Sequence, residues 1–250
     1  MKSASPTGAE RIPSLTELKI KIFSDGADID SIAEAHQAGV VKGFTTNPSL
    51  MAKAGITNYI AFAKEVLKIV TVLPVSFEVF SDDFDEMRYQ AQKIAELGPN
   101  VFVKIPVTNT RRASAAALIR ELHSAGIKLN VTAILSLRQV EEVFLALDGD
   151  VPAFVSVFAG RIADTGRDPL PLMRAALEII RPKSKAELLW ASPREVLNLM
   201  QAETMGCHVI TMTPDLLTKA SKFGMDLEDL SLDTVKMFYS DAQRSGFKIA

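Results

Sequence analysis

The feature that most limits how this chain can fold is an alternation repeated eight times: a short apolar strand, a turn, then an amphipathic helix. Strands are expected at 18–24, 40–45, 73–80, 101–105, 127–132, 152–158, 187–191 and 208–212. These runs are β-branched or aromatic and are bounded by Gly, Pro, Asn or Asp. Between them apolar residues recur at helical spacing, as in Ile60, Ala63, Val66, Leu67 and Val70. The same spacing joins Ala115, Leu118, Ile119 and Leu122, and again Val140, Val143, Phe144 and Leu147. Strands that alternate with helices pair in parallel through right-handed crossovers. Eight such units in 250 residues is the stoichiometry of a (β/α)8 TIM barrel. The rival is an open doubly wound sheet, which usually carries a glycine-rich phosphate turn after its first strand. Here that turn reads Ser24-Asp25-Gly26-Ala27-Asp28 and has no such fingerprint.

The expected organisation is one α/β domain over 15–250, preceded by a loose Ser/Pro/Gly/Ala-rich lead-in over 1–14. An additional C-terminal helix over 231–245 carries Leu232, Val235, Phe238 and Ala242, either to cap the barrel or to dock on a neighbouring subunit. Helix starts are expected at Asp168-Pro169, at Thr213-Pro214 and at the capping box Ser192-Pro193-Arg194-Glu195. Helix stops are expected at Gly39, Gly98, Gly126, Gly149, Gly206 and Gly246. The 28 basic and 30 acidic residues leave a formal charge of −2, which argues against nucleic-acid or membrane-surface binding. No apolar run approaches the roughly 20 residues of a membrane span. Lys2 is followed by no apolar core, so no signal peptide is expected. The single cysteine, Cys207, excludes an internal disulfide framework. A cytoplasmic, reducing location is the resulting expectation.

Barrel enzymes place their chemistry at the C-terminal ends of strands. The informative residues are therefore polar ones that interrupt apolar strands there. They are Asp25, Thr45 and Asn47, Glu78, Lys104, Asn130 and Thr132, and Ser156 with Phe158, Gly160 and Arg161. Residues two apart share a face of a strand, so Asn130 pairs with Thr132 and Ser156 with Phe158. Glu78, Lys104, Asn130 and Ser156 are expected at similar depth on four successive strands. Lys104 is the most telling. Flanked by Val103 and Ile105, it is expected to be desolvated, which disfavours an ammonium. A neutral amine attacks a carbonyl to form a Schiff base. The bland alternative is a structural lysine paired with Glu78. Asp25 and Glu78 are candidate acid–base groups for carbon–carbon cleavage through an imine; their bland role is charge balance for Lys104.

The segments Phe44-Thr45-Thr46-Asn47-Pro48-Ser49-Leu50, Val103-Lys104-Ile105-Pro106-Val107-Thr108 and Gly160-Arg161-Ile162 resemble motifs of the transaldolase family. The resemblance runs from about residue 19 to the C-terminal helix. It is strongest to the short transaldolases, which include the fructose-6-phosphate aldolases. It implies a (β/α)8 barrel with Lys104 as the Schiff-base lysine and Asp25 as the group that deprotonates the hydroxyl at the breaking bond. It implies that Glu78 and Thr132 hold the water that shuttles protons at the imine. Asn47, Asn130 and Ser156 would bind the dihydroxyacetone hydroxyls, with Thr45 nearby, and Arg161 would meet the substrate phosphate. Small-molecule sugar phosphates are the implied partners, with no metal or organic cofactor.

Glu78 and Phe158 are the transaldolase choices where the aldolases carry glutamine and tyrosine. A drier imine favours handing the three-carbon unit to an aldehyde over hydrolysing it. A transferase is thus expected ahead of an aldolase releasing dihydroxyacetone. A third reading is a non-catalytic sugar- or partner-binding barrel. After strand 7 the family places a serine and a basic residue for the phosphate. This chain has Leu189 and Ala191 there, around Trp190 and before Ser192-Pro193. Replacements are sought in Ser192, in the helix starting at Pro214, and in Arg111 and Arg167. Trp190 and Ser192 are carried as substrate-contact candidates. His36, His123 and His208 lie far apart without ligand-like neighbours, so no metal site is expected. Cys207 reads as a buried apolar residue. Arg111-Arg112 is expected to open a helix, and association into a homo-oligomer is left open.

Overall fold

The computed structural model describes residues 13–247; all of the 1–14 lead-in except Pro13 and Ser14 therefore lies outside the described residues. The elements run β1 (Lys21–Asp25), α1 (Ile29–Ala38), β2 (Gly43–Thr45), α2 (Pro48–Lys53), α3 (Tyr59–Ile69), β3 (Val75–Glu78), α4 (Phe84–Ala95) and β4 (Val101–Pro106). They continue with α5 (Ala116–Ser124), β5 (Leu129–Ile134), α6 (Leu137–Ala146), β6 (Ala153–Val157), α7 (Ala159–Ala163) and α8 (Leu170–Ile180). The last are β7 (Ala186–Trp190), α9 (Leu197–Met205), β8 (Val209–Met212), α10 (Pro214–Lys219) and α11 (Leu227–Ser245). The eight strands close in order as a parallel barrel, β1 pairing with both β2 and β8. Each expected strand overlaps an observed one. No helix among the described residues is long and apolar enough to cross a membrane.

Two apolar compartments follow from the pleat. Outward-facing strand residues such as Phe77, Val103, Ile105, Val131, Val155 and Leu188 pack against the helix faces the periodicity picked out, including Ala63, Val66, Leu118, Ile119, Leu122, Val140 and Val143. Inward-facing residues Phe23, Phe102, Phe154, Leu189, Ala191 and Val209 form a second cluster inside the barrel. Phe154 packs edge-on against Phe23 at 5.3 Å and tilted against Phe102 at 4.5 Å. These rings floor the interior below the polar groups of the C-terminal mouth. Gly43 makes this floor fit: a β-carbon there would lie 2.5 Å from the Phe23 ring.

Helix starts are set by side-chain caps from Asp28, Asn47, Asn58, Asp83, Ser136 and Asp226. The capping box is Ser136 with Gln139. The one expected at Ser192–Glu195 is not formed, and α9 starts only at Leu197. Ser192 has a left-handed φ of 60°, and the amides of Arg194 and Glu195 donate to Asn198 Oδ1 instead. The Ser192 carbonyl lies against Gly160, where a β-carbon would sit 1.6 Å from its oxygen. Arg111-Arg112 does not open a helix either; it lies in a turn before α5, with Arg112 at φ 64°. There Asp82 accepts from the amide and hydroxyl of Thr110. α11 extends four residues earlier than expected and has no buried residue, so it does not cap the barrel; Leu227, Leu232, Val235, Phe238 and Tyr239 are exposed.

Overpacking a filled interior typically costs 1–3 kcal/mol. Gly43→Ala is therefore expected to lower stability by about 2 kcal/mol, and Phe23→Leu in the same chain to recover part of that loss. Denaturant midpoints of the single and double variants check this. Additive losses would show that the two residues do not share one space.

Candidate active site

The motif Thr45-Thr46-Asn47-Pro48 is a structural device in which each residue has a separate task. Thr45 points into the barrel and donates to Asp25 Oδ1 at 2.7 Å. Thr46 donates to the Ser76 carbonyl at 3.0 Å, while its own carbonyl accepts from Lys104 Nζ at 2.8 Å. Asn47 caps α2 through its amide oxygen, accepting from the Leu50 amide at 3.0 Å, and Pro48 occupies the first turn. The Asn47 amide oxygen is thus committed to the fold, and its amide nitrogen is the group left to address a ligand.

Lys104, on β4, is only 6% exposed. Its ammonium sits 3.0 Å from Glu78 Oε2 on the neighbouring β3. Tyr59 from α3 donates to the Glu78 carbonyl at 2.7 Å and fixes the end of that strand. Asp25 lies deep in the cavity, partly open to it yet surrounded by protein. Burial holds its carboxyl above the ordinary value, and Lys104 and the Thr45 hydroxyl pull it part of the way back. Ser156 donates to Asn130 Oδ1 at 2.6 Å, and Asn130 donates to Ser76 Oγ at 3.0 Å.

The pairing register refines the expected depth. Glu78, Lys104 and Asn130 are successive register partners, but the partner of Asn130 on β6 is Phe154, with Ser156 two residues further along. The side chains of Asn130 and Ser156 meet across that offset. Thr132 precedes Ala133, a non-glycine residue at φ 61°, where the β5–β6 register shifts. Such a bulge re-aims side chains next to a site. The Thr132 hydroxyl oxygen is buried and has no hydrogen-bond partner among the described residues.

A cavity of about 630 Å³ at the C-terminal mouth gathers Asp25, Thr45, Asn47, Glu78, Lys104, Asn130, Thr132, Ser156, Phe158, Arg161 and Ser192. Eleven of the twelve residues nominated from sequence therefore line one space. Trp190 is the exception. Leu189 and Ala191 face the interior, so Trp190 faces the helices, fully buried in the outer core. It is a packing residue, not a substrate contact. Thr211 on β8 also lines the cavity, its hydroxyl 2.6 Å from that of Thr45. The criterion that found the others, a polar residue in an apolar strand, applies to it equally.

At the outer rim the Arg161 guanidinium lies over the Phe158 ring, 5.4 Å from its centre. Lys53 and Arg194 also reach the cavity. Arg194 is engaged by Asp164 through both guanidinium arms. Arg111 faces Asp82, and Arg167 donates to Thr165; neither lines the cavity. A larger depression, about 720 Å³, lies at the opposite end of the barrel over Phe23, Phe102 and Phe154. Its rim carries lysines and Glu187, but the Lys21–Glu187 pair there is open to solvent and lacks the burial that sets Lys104 apart.

The remaining singled-out residues serve the fold. His123 Nδ1 accepts from the Asp148 amide and His208 Nδ1 from the Leu188 amide; burial lowers the proton affinity of both rings. Burial pushes the Cys207 thiol up to about 12.

Residues 22–249 match the family described as transaldolase/fructose-6-phosphate aldolase. The chain belongs to that family. It is 34% identical over 231 residues to a "Probable transaldolase" of Thermoanaerobacter sp. (strain X514), covering 92% of this chain and 100% of the relative. It is 37% identical over 218 residues to one of Herpetosiphon aurantiacus, covering 86% and 92%. The solved structure of KGPDC from Streptococcus mutans superposes with a TM-score of 0.52 at 9% identity, covering 78% of this chain and 88% of that one. That likeness shows the barrel fold alone.

The raised proton affinity of Asp25 has a consequence for stability. A carboxyl raised in the folded state binds more protons there than in the unfolded chain. Its charge therefore opposes folding more and more as pH rises from the ordinary carboxylate range near 4 toward the raised folded-state value, and not at all below that range. Asp25→Asn should raise the thermal midpoint at pH 7, with the gain shrinking as pH falls toward about 4. Thermal scans across that range check this; a variant less stable at pH 7 would contradict it.

Proposed function

We propose that this transaldolase-family protein moves a dihydroxyacetone unit from a ketose phosphate to an aldose acceptor through a Schiff base on Lys104. The observation that carries the reading is a buried lysine held by a carboxylate within a cavity that also contains Asp25, Asn130, Thr132 and Ser156. Lys104 passes a proton to Glu78 and attacks the donor ketone as the free amine. Loss of water from the carbinolamine gives the iminium. Glu78 and the partnerless Thr132 hydroxyl flank the place where that water is released and later taken up.

Asp25 then accepts the proton of the hydroxyl on the far carbon of the breaking bond, whose oxygen becomes the carbonyl of the departing aldehyde. The electrons of that bond pass into the iminium, an aldehyde departs, and a three-carbon enamine stays on Lys104. The enamine carbon adds to the acceptor aldehyde, and Asp25 returns its proton to the new alkoxide. Water then releases the product ketose and the lysine. Asn130 and Ser156 address the donor hydroxyls and Arg161 the phosphate. Phe158 on the cavity wall offers no hydroxyl to water, which favours transfer over release of free dihydroxyacetone.

Borohydride reduction in the presence of fructose 6-phosphate, sedoheptulose 7-phosphate or unphosphorylated ketoses tests the reading, with the adduct mapped by peptide mass spectrometry. A three-carbon adduct on Lys104 is expected, and it should disappear when an aldose acceptor is added. Lys104→Ala should lose the adduct and at least about 10³-fold of turnover. Unimpaired turnover by that variant would overturn the imine. Free dihydroxyacetone formed without acceptor would make the protein an aldolase. Sugar binding without any adduct would make it a non-catalytic barrel.

A further inference from the structure

Thr211 sits buried on β8, its hydroxyl 2.6 Å from that of Thr45. Distance leaves the donor open, but with Asp25 ionised, as a proton acceptor must be, counting protons decides it. A threonine hydroxyl has one proton, and an ionised carboxylate only accepts. Thr45, 2.7 Å from Asp25 Oδ1, spends its proton on Asp25. The short Thr45–Thr211 bond then requires Thr211 to donate. The chain of hydrogen bonds runs from β8 to β2 to β1, across strands that both pair with β1.

We infer that Thr211 is a positioning residue for the proton-accepting carboxylate, acting on Asp25 through Thr45. Each bond in the chain polarises the next, so the pair favours the ionised form of Asp25. It also aims one carboxylate oxygen at β2 and leaves the other for the substrate hydroxyl. The other charged groups that face Asp25 come from different elements. Lys104 on β4 acts directly, and Glu78 on β3 acts through Lys104. Lys53, Arg161 and Arg194 share the cavity at its rim. None of them contributes to the Thr211–Thr45 bond, so removing the Thr211 hydroxyl isolates this one influence.

The inference rests on the Schiff-base reading, because it assigns Thr211 to the cleavage step that follows imine formation. Thr211→Val keeps the β-branched shape and removes the donor. It should move the acidic limb of the kcat/KM profile upward by about half to one pH unit. It should also lower kcat several-fold below that limb while KM changes little. Under borohydride the variant should still label Lys104, but with a larger share of intact donor relative to the three-carbon fragment, because imine formation persists while cleavage slows.

Thr211→Ser should restore both the limb and the partition. In a Thr45→Val background, Thr211→Val should have no further effect on either. An unchanged limb and an unchanged partition in a folded Thr211→Val protein would overturn the inference. So would an equal Thr211 effect with or without the Thr45 hydroxyl. Absence of any adduct in the unsubstituted protein would overturn the imine reading itself, and the role of Thr211 with it.

Discussion

An ammonium buried at the middle of a barrel controls the arrangement around it. Removing such a charge from water costs several kcal/mol after relaxation, and only close opposite charge and full hydrogen bonding offset it. Lys104 is given the opposite charge by Glu78 at 3.0 Å and a hydrogen bond by the Thr46 carbonyl at 2.8 Å, and its remaining donor capacity faces the cavity. The demand reaches into the backbone. The Thr46 carbonyl is held in place by the tie of its own side chain to Ser76, and the Glu78 strand end by Tyr59. Asp25 is then a second carboxylate near a single ammonium. Burial outweighs what Lys104 and the Thr45 hydroxyl give back to Asp25, and its proton affinity rises. The burial that makes the lysine demand partners thus also raises the proton affinity of the carboxylate beside it.

The aromatic floor gives that arrangement its direction. Phe23, Phe102 and Phe154 close the barrel below the polar groups, and Gly43 supplies the space their packing needs. Lys104, Glu78 and Asp25 line the cavity that opens at the mouth, above this floor. A ligand that fills the roughly 630 Å³ above them exchanges that water for the fixed dipoles of Asn130, Ser156 and Thr132. The same pleat that alternates residues between the two compartments therefore separates a dry floor from a polar working layer over a rise of two residues per strand.

That pleat also explains what was legible in the sequence. The strands stand out because their outward residues are almost all apolar, and polar residues on the other parity near the strand ends mark the inner face. Asp25, Glu78, Lys104, Asn130 and Thr132 are readable for that reason. Trp190 reads as a contact candidate from its place at a strand end near the mouth, but parity decides against it: Leu189 and Ala191 take the inward positions, which sends the indole outward. Thr211 was passed over inside an apolar run although it breaks that run just as Asn130 breaks its own. The Ser192–Glu195 box failed for a tertiary reason. Gly160 admits the Ser192 carbonyl at a distance no other residue allows, and the left-handed Ser192 that results delays the helix to Leu197. No local pattern encodes such a contact between two loops.

The apolar inward positions of β7 have a further consequence under the proposed chemistry. Leu189 and Ala191 line the wall above the phenylalanine floor and provide no group for an anion. Of the basic residues at the cavity, Arg194 is neutralised by Asp164, and Lys53 comes from the far end of α2. Arg161 is held over the Phe158 ring, a contact that orients a guanidinium without neutralising it. Anion recognition then falls chiefly to one oriented cation at the rim rather than to a ring of donors. A single rim cation tolerates a phosphate set further from the reacting carbons, or none, because the attraction falls slowly with distance and fixes no bidentate geometry with several partners. Selection among donors would accordingly rest on Asn130, Ser156 and the Asp25–Thr45 pair, which address the carbons nearest the bond that breaks.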